Sequence, residues 1–161
     1  MMNSEIELGI SVAKPPTPIV RDADKLFRRG VDALERNRFD EAAGLLRQAA
    51  ELAPQSSPIH LALGIALTRL TEIPAAFDAL ETAINLDPNG FFPHFRMGEL
   101  YMRVGVPTKG NEELQIAMDV STTPEQRVLV RELLKLDAKR AQRRVWRPDF
   151  SKLIGRRRKD S

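Results

Sequence analysis

Three stretches of this chain start in register 34 residues apart: 23–56, 57–90 and 91–122. Superposed, they repeat a glycine at Gly30, Gly64 and Gly98 and an alanine at Ala49, Ala83 and Ala117. A second small position recurs at Ala42, Ala76 and Gly110, and the first two stretches close with Pro54 and Pro88. Small residues at fixed offsets in a period of this length predict a stack of helix–turn–helix units, not one globular catalytic core.

The residues within each unit carry the same message. In the second, Ile59, Leu61, Leu63, Ile65, Ala66, Leu67 and Leu70 set apolar groups nearly all round one helix. Such a helix must be buried between neighbours. The glycine and alanine columns let paired helices approach to roughly 8–10 Å between axes. Pro54 and Pro88 stop helices, because proline lacks the amide hydrogen and clashes with the preceding turn. Pro58 and Pro74 stand where a first helical turn can begin, a place proline tolerates. The chain is therefore predicted to be all-α, and its 161 residues suffice for one domain with an adequate core.

The pattern resembles the tetratricopeptide repeat family over about two-thirds of the chain. Unit two carries Leu63-Gly64, Leu67, Ala76, Leu80, Ala83 and Pro88. Unit one has Gly30, then Asn37-Arg38-Phe39-Asp40-Glu41-Ala42 at the inter-helix turn, then Leu46, Ala49 and Pro54. Unit three keeps Met97-Gly98, Tyr101, Leu114 and Ala117. It departs from the family with Gly110 where alanine is usual and Thr122 where proline is usual, and Leu26, His60 and His94 replace the aromatic that often opens the first helix. The resemblance implies a right-handed superhelical solenoid of three helix–turn–helix repeats.

The flanks read differently. Residues 1–22 are expected to form an extended or disordered leader, since Lys14-Pro15-Pro16-Thr17-Pro18-Ile19-Val20 favours a polyproline-like path. Such a segment is either a loose terminus or a ligand for a groove, its own or a neighbour's. Residues 123–146 are expected to form a capping helix. Thr123 caps it, with Pro124 in the first turn and Gln126 three residues on. Val130, Leu133, Leu134, Ala138, Ala141 and Val145 recur at helical spacing to cover the third unit, and Trp146, before Pro148, is read as a structural anchor in preference to a partner contact.

Residues 147–161 are a basic tail whose densest run is Arg156-Arg157-Arg158-Lys159. Eleven Lys or Arg against three Asp between Lys135 and Ser161 give +8 in a chain of net +3, leaving −5 on residues 1–134. This asymmetry points either to an acidic partner (nucleic acid, anionic membrane or an acidic protein surface) or to a solvated tail that binds nothing. Aromatics that would stack bases are few there, Trp146 and Phe150.

Composition narrows the chemistry. There is no cysteine, hence no disulfide framework, thiol nucleophile or thiolate metal site. The first residues hold Glu5 and Glu7 and no basic region, unlike a secretory signal, and no run nears the roughly 18 apolar residues of a membrane span. A cytoplasmic protein is expected. His60 and His94 lie one repeat apart, too far to share a metal, and are read as helix-packing residues. No HExxH, glycine-rich phosphate loop or nucleophile elbow occurs. Glu35, Asp40 and Glu81 read as exposed helix charges or turn caps. Neither catalytic activity nor a cofactor or metal is expected.

In the family, the concave face made by the first helix of each repeat takes the ligand. By register, the resemblance implies Phe27, Val31 and Leu34 from unit one and Leu61, Ile65 and Arg69 from unit two. Unit three would offer Phe92, Phe95, Glu99, Met102 and Arg103. Relatives that clamp a C-terminal carboxylate have Lys and Asn where Phe27 and Val31 stand here, which disfavours such a clamp. An apolar groove suits an extended or helical hydrophobic segment, with aromatics as anchors. Alternatively, some of these positions are core, Leu61 and Ile65 above all since their helix is apolar all round, which leaves Phe92, Phe95 and Met102 as the groove residues. The expected function is a non-enzymatic interaction adaptor or chaperone. Two variants stay open: a targeting module whose tail binds nucleic acid or anionic membrane, and head-to-tail self-association through Lys14–Val20.

Overall fold

The computed structural model describes residues 18–145. These form seven α-helices and no strand: α1 (Pro18–Glu35), α2 (Phe39–Leu52), α3 (Ser57–Arg69), α4 (Ile73–Leu86), α5 (Phe91–Arg103), α6 (Pro107–Asp119) and α7 (Pro124–Val145). The first helix starts inside the segment expected to be an extended leader, so 18–22 is helical. Pro18 occupies the first helical position, where its fixed φ fits and its missing amide hydrogen costs nothing. Ala23, one turn on and 1% exposed, ties this end into the core. The rest of the leader, residues 1–17, lies outside the described residues, as do Trp146 and the basic tail 147–161.

Each helix pair is joined by three residues, and the middle of the link repeats one backbone device. Asn37, Thr71 and Gly105, 34 residues apart, have φ of 57°, 62° and 83°. In each link two hydrogen bonds close back on the preceding helix. Arg38, Glu72 and Val106 donate their amides to the carbonyls of Ala33, Leu67 and Tyr101 at 2.8, 3.0 and 2.9 Å. Asn37, Thr71 and Gly105 donate to Leu34, Thr68 and Met102 at 3.0, 3.3 and 3.3 Å. This six-to-one and five-to-two pair is a Schellman end, and it accounts for carbonyls the helix would leave open. The carbonyls of Arg38, Glu72 and Val106 then accept from Ala42, Ala76 and Gly110 and start the next helix.

The chain forms two compact units that part between Leu86 and Asp87. In the first, α1 pairs with α2 and α3 with α4, while α2 and α1 both pack on α3. In the second, α5 pairs with α6, and α7 lies against both. Within every pair a glycine faces a leucine. A Cβ on Gly30 would sit 2.7 Å from Leu46 Cγ, on Gly64 2.7 Å from Leu80 Cγ, and on Gly98 2.7 Å from Leu114 Cγ. Those leucines are 0%, 1% and 0% exposed, and each buried side chain contributes about 1.5–3 kcal/mol. Ala42, Ala49, Ala76, Ala83 and Ala117 line the same seams, all 0% exposed.

In the second unit Gly110 replaces the expected alanine because Met102 fills the space. A Cβ there would meet its Sδ at 3.0 Å and its Cγ and Cε at 3.1 Å. The start of α7 is capped as its sequence predicts. Thr123 Oγ1 accepts from the Gln126 amide at 3.3 Å, and Gln126 Oε1 accepts from the amides of Thr122 and Thr123 at 2.8 and 3.3 Å. The amide of Glu125 and the Thr123 hydroxyl hold the Glu125 carboxyl below its ordinary range. On α7, Val130 is fully buried in a cluster with Phe91, Phe95, Met102, Leu114 and Ala117.

Two stability measurements check this reading by urea denaturation. Gly64→Ala, which would stabilise an open helix, is expected to destabilise by about 1–3 kcal/mol. In the Gly64→Ala/Leu80→Ala cycle the costs should be less than additive, because shortening Leu80 makes room for the new methyl. Thr71→Asn should raise stability by about 0.5–1 kcal/mol, since a β-branched residue is strained at positive φ and asparagine is not. An unchanged midpoint would count against strain at Thr71.

Candidate ligand face on the first helices

The face is built separately in each unit. In the first, Phe27 and Val31 on α1 and Leu61 and Ile65 on α3 are half-buried. They are neither sealed in the core nor free in water, as residues lining a shallow apolar surface are. Arg69, at the end of α3, is exposed, with its guanidinium 5.0 Å from the centre of the Phe39 ring at the start of α2. That contact braces α2 against α3 and holds the arginine at the edge of the unit.

The second unit divides its expected residues differently. Phe92 is 47% exposed and stands edge-on to Phe91, 5.1 Å between centroids at 80°. Phe95 and Met102, expected on the groove, are core residues at 8% and 6% exposure. Phe95 stacks on Phe91 one helical turn earlier, 5.6 Å away and 15° from parallel, and both belong to the cluster around Leu114 and Val130. Met102 joins that cluster and also fills the gap left by Gly110. Register alone assigned both to an open face, and the packing of α6 and α7 on α5 buries them. Glu99 is half-buried and accepts from Arg96 Nη1 at 2.7 Å. Arg96 Nε is buried and has no hydrogen-bond partner among the described residues. Arg103 is exposed. The open part of this face is thus Phe92, Glu99 and Arg103.

The two histidines have equivalent structural work. His60 Nε2 lies 2.9 Å from the Pro54 carbonyl, and His94 Nε2 lies 2.9 Å from the Pro88 carbonyl. In each case an N–H from the first helix of a repeat satisfies the carbonyl of the proline just before it. His94 also meets Glu113 through Nδ1 at 2.8 Å. Among the described residues no group of three or more His, Cys, Asp or Glu could hold a metal ion. None of the described helices is long and apolar enough to cross a membrane. Arg156, Arg157, Arg158 and Lys159 lie outside the described residues.

A pair of substitutions separates surface from core on α5. Phe92→Ala should leave the unfolding midpoint within the range of ordinary surface changes, about 0.5 kcal/mol. Phe95→Ala should cost about 3–5 kcal/mol. Equal costs would show that burial does not divide them.

Residues 33–104 match the family model described as "Tetratricopeptide repeat". Among curated proteins the chain is 24% identical over 96 residues to the TPR repeat-containing protein YsoA of Bacillus subtilis (strain 168). That match covers 60% of this chain and only 28% of the relative's length. Among solved structures, the TPR2B domain of yeast Sti1, in complex with pHsp70, superposes with a TM-score of 0.68 at 20% identity, covering 76% of this chain and 98% of that one. The Yersinia enterocolitica type III secretion chaperone SycD, in complex with a peptide of the translocator YopD, superposes at 0.66 and 16% identity, covering 73% and 93%. The 34-residue period, the family-model match over residues 33–104 and the all-α tetratricopeptide-type fold agree, and that stretch of the chain carries tetratricopeptide repeats.

Proposed function

We infer that this chain is a non-enzymatic adaptor or chaperone that holds an apolar peptide segment on the first-helix faces of its repeats. The carrying observation is the set Phe27, Val31, Leu61 and Ile65, half-buried on α1 and α3 of one unit. Phe92, 47% exposed in the other unit, supplies an aromatic anchor of the kind that dominates binding energy. Support also comes from the superposable Sti1 and SycD domains, whose structures hold pHsp70 and a YopD peptide.

The ligand chemistry follows from the side chains. Val31 and Phe27 offer no donor to a carboxylate, so the segment is recognised by its apolar side chains and not by a free C-terminus. Arg69 and Arg103, both exposed, lie at the C-terminal ends of α3 and α5 and favour acidic residues flanking the apolar ones. Ile65 is half-buried and Phe92 exposed, so losing either one weakens binding at its own unit without breaking a core.

The test is fluorescence anisotropy with a set of labelled 12–15-residue peptides of leucine- and phenylalanine-rich sequence, each with free and amidated C-termini. Binding should fall about tenfold or more in Ile65→Arg and in Phe92→Arg while circular dichroism stays unchanged. Amidation should leave affinity as it was. Affinity that survives both substitutions would overturn the ligand face, and loss on amidation alone would replace this reading with a carboxylate clamp.

A further inference from the structure

The outer side of α7 combines two features that neither the core nor the ligand face uses. The first is charge. Arg127, Arg131, Lys135 and Lys139 follow one another every four residues, and Arg140 joins them; all five are exposed. Successive members lie about 6 Å apart along the axis, forming a slowly turning basic stripe. Arg127 is partly engaged, its Nε donating to Ser121 Oγ at 2.9 Å, and Lys135 pairs with Glu132 at 2.8 Å. That hydrogen bond and the Lys135 charge hold the Glu132 carboxyl below its ordinary range. Arg131, Lys139 and Arg140 have no ion pair among the described residues.

The second feature is apolar. Val128, Leu129 and Leu136 on the same helix are 51%, 45% and 46% exposed. Leu129 and Leu136, seven residues apart, point the same way, with Arg140 to one side and Lys139 and Lys135 to the other. Val130, one residue on from Leu129 and about 100° round the helix, is fully buried, so Leu129 and Leu136 stand beside the packing face and not on it.

We propose that the outer face of α7 docks on an anionic lipid bilayer surface. Three exposed aliphatic side chains lose nothing by meeting a phosphodiester backbone and gain nothing from it, so they do not favour nucleic acid. At a bilayer interface they enter the headgroup boundary while the flanking lysines and arginines extend along their stems to lipid phosphates. The contact is peripheral, since none of the described helices can span a membrane.

The experiment is co-sedimentation of the full chain with vesicles of phosphatidylcholine alone and of phosphatidylcholine with 30% phosphatidylserine. Two variants accompany it, Lys135→Gln/Lys139→Gln and Leu129→Ser/Leu136→Ser; all four positions are exposed, so far-ultraviolet circular dichroism should be unchanged. Expected is binding only to the anionic vesicles, weakened about fivefold for each cation removed and weakened also in the leucine variant. Raising the salt should weaken it further. No sedimentation with anionic vesicles overturns the proposal. So does wild-type binding by both variants, which would place any lipid contact in residues 147–161. A 20-nucleotide RNA bound equally by wild type and leucine variant, with no lipid binding, would make the stripe a nucleic-acid site instead.

Discussion

The contact between a glycine on one helix and a leucine on its partner sets the spacing of each pair. With only 2.7 Å between a hypothetical Cβ and the leucine Cγ, the two backbones stand closer than any side chain at the glycine position allows. The links must then reverse direction over that short gap, and each does so in three residues between helices ending at Glu35, Arg69 and Arg103 and starting at Phe39, Ile73 and Pro107. A positive φ at Asn37, Thr71 and Gly105 makes this reversal while returning two amides to the preceding helix. Spacing and turn are thus one constraint, and a methyl at the glycine would strain both.

Much of the fold was legible because its rules are written in residue identity. The glycine and alanine columns, the prolines at helix starts, and the Thr123–Gln126 cap each depend on one side chain's size or hydrogen-bonding groups. The turn column was not legible: Asn37, Thr71 and Gly105 share a conformation but no chemistry, and threonine conceals it. Pro18 was misread because proline suits both a polyproline path and a first helical turn; burial of Ala23 decides, and burial is not visible in the leader's own sequence. The candidate site was half legible for a similar reason. Helical register tells which residues share a face, but which face is covered depends on elements far along the chain. Phe95 became core through α6 and α7, while its neighbour Phe92 did not.

The histidines show how one column can carry two environments. Both donate to a proline carbonyl six residues earlier, a group left open by the helix end before it. The carbonyl recurs at Pro54 and Pro88, so a donor at that position is useful in the second and third repeats. Glu113 on α6 adds a second partner to His94, which is buried, whereas His60 is half-buried. An imidazole that loses water needs both nitrogens satisfied, and the second unit provides for both.

The exchange between Met102 and Gly110 bears on function as well as packing. The residues equivalent to Met102 one and two repeats earlier are Thr68 and Leu34, both half-buried, and the positions equivalent to Gly110 hold Ala76 and Ala42, both fully buried. In the second unit the larger residue on the first helix is matched by a smaller one on the second, which conserves volume across the seam. Because a thioether chain adapts more readily than a leucine, this seam is softer than the Gly98–Leu114 contact beside it. Drawing Met102 inward also removes an apolar group from the first-helix face. What remains there is one aromatic, one carboxylate and one guanidinium, against four apolar residues and the Arg69 guanidinium in the first unit. The first-helix face of the second unit thus sets a single aromatic, Phe92, among charged groups, while that of the first is lined mainly by apolar side chains.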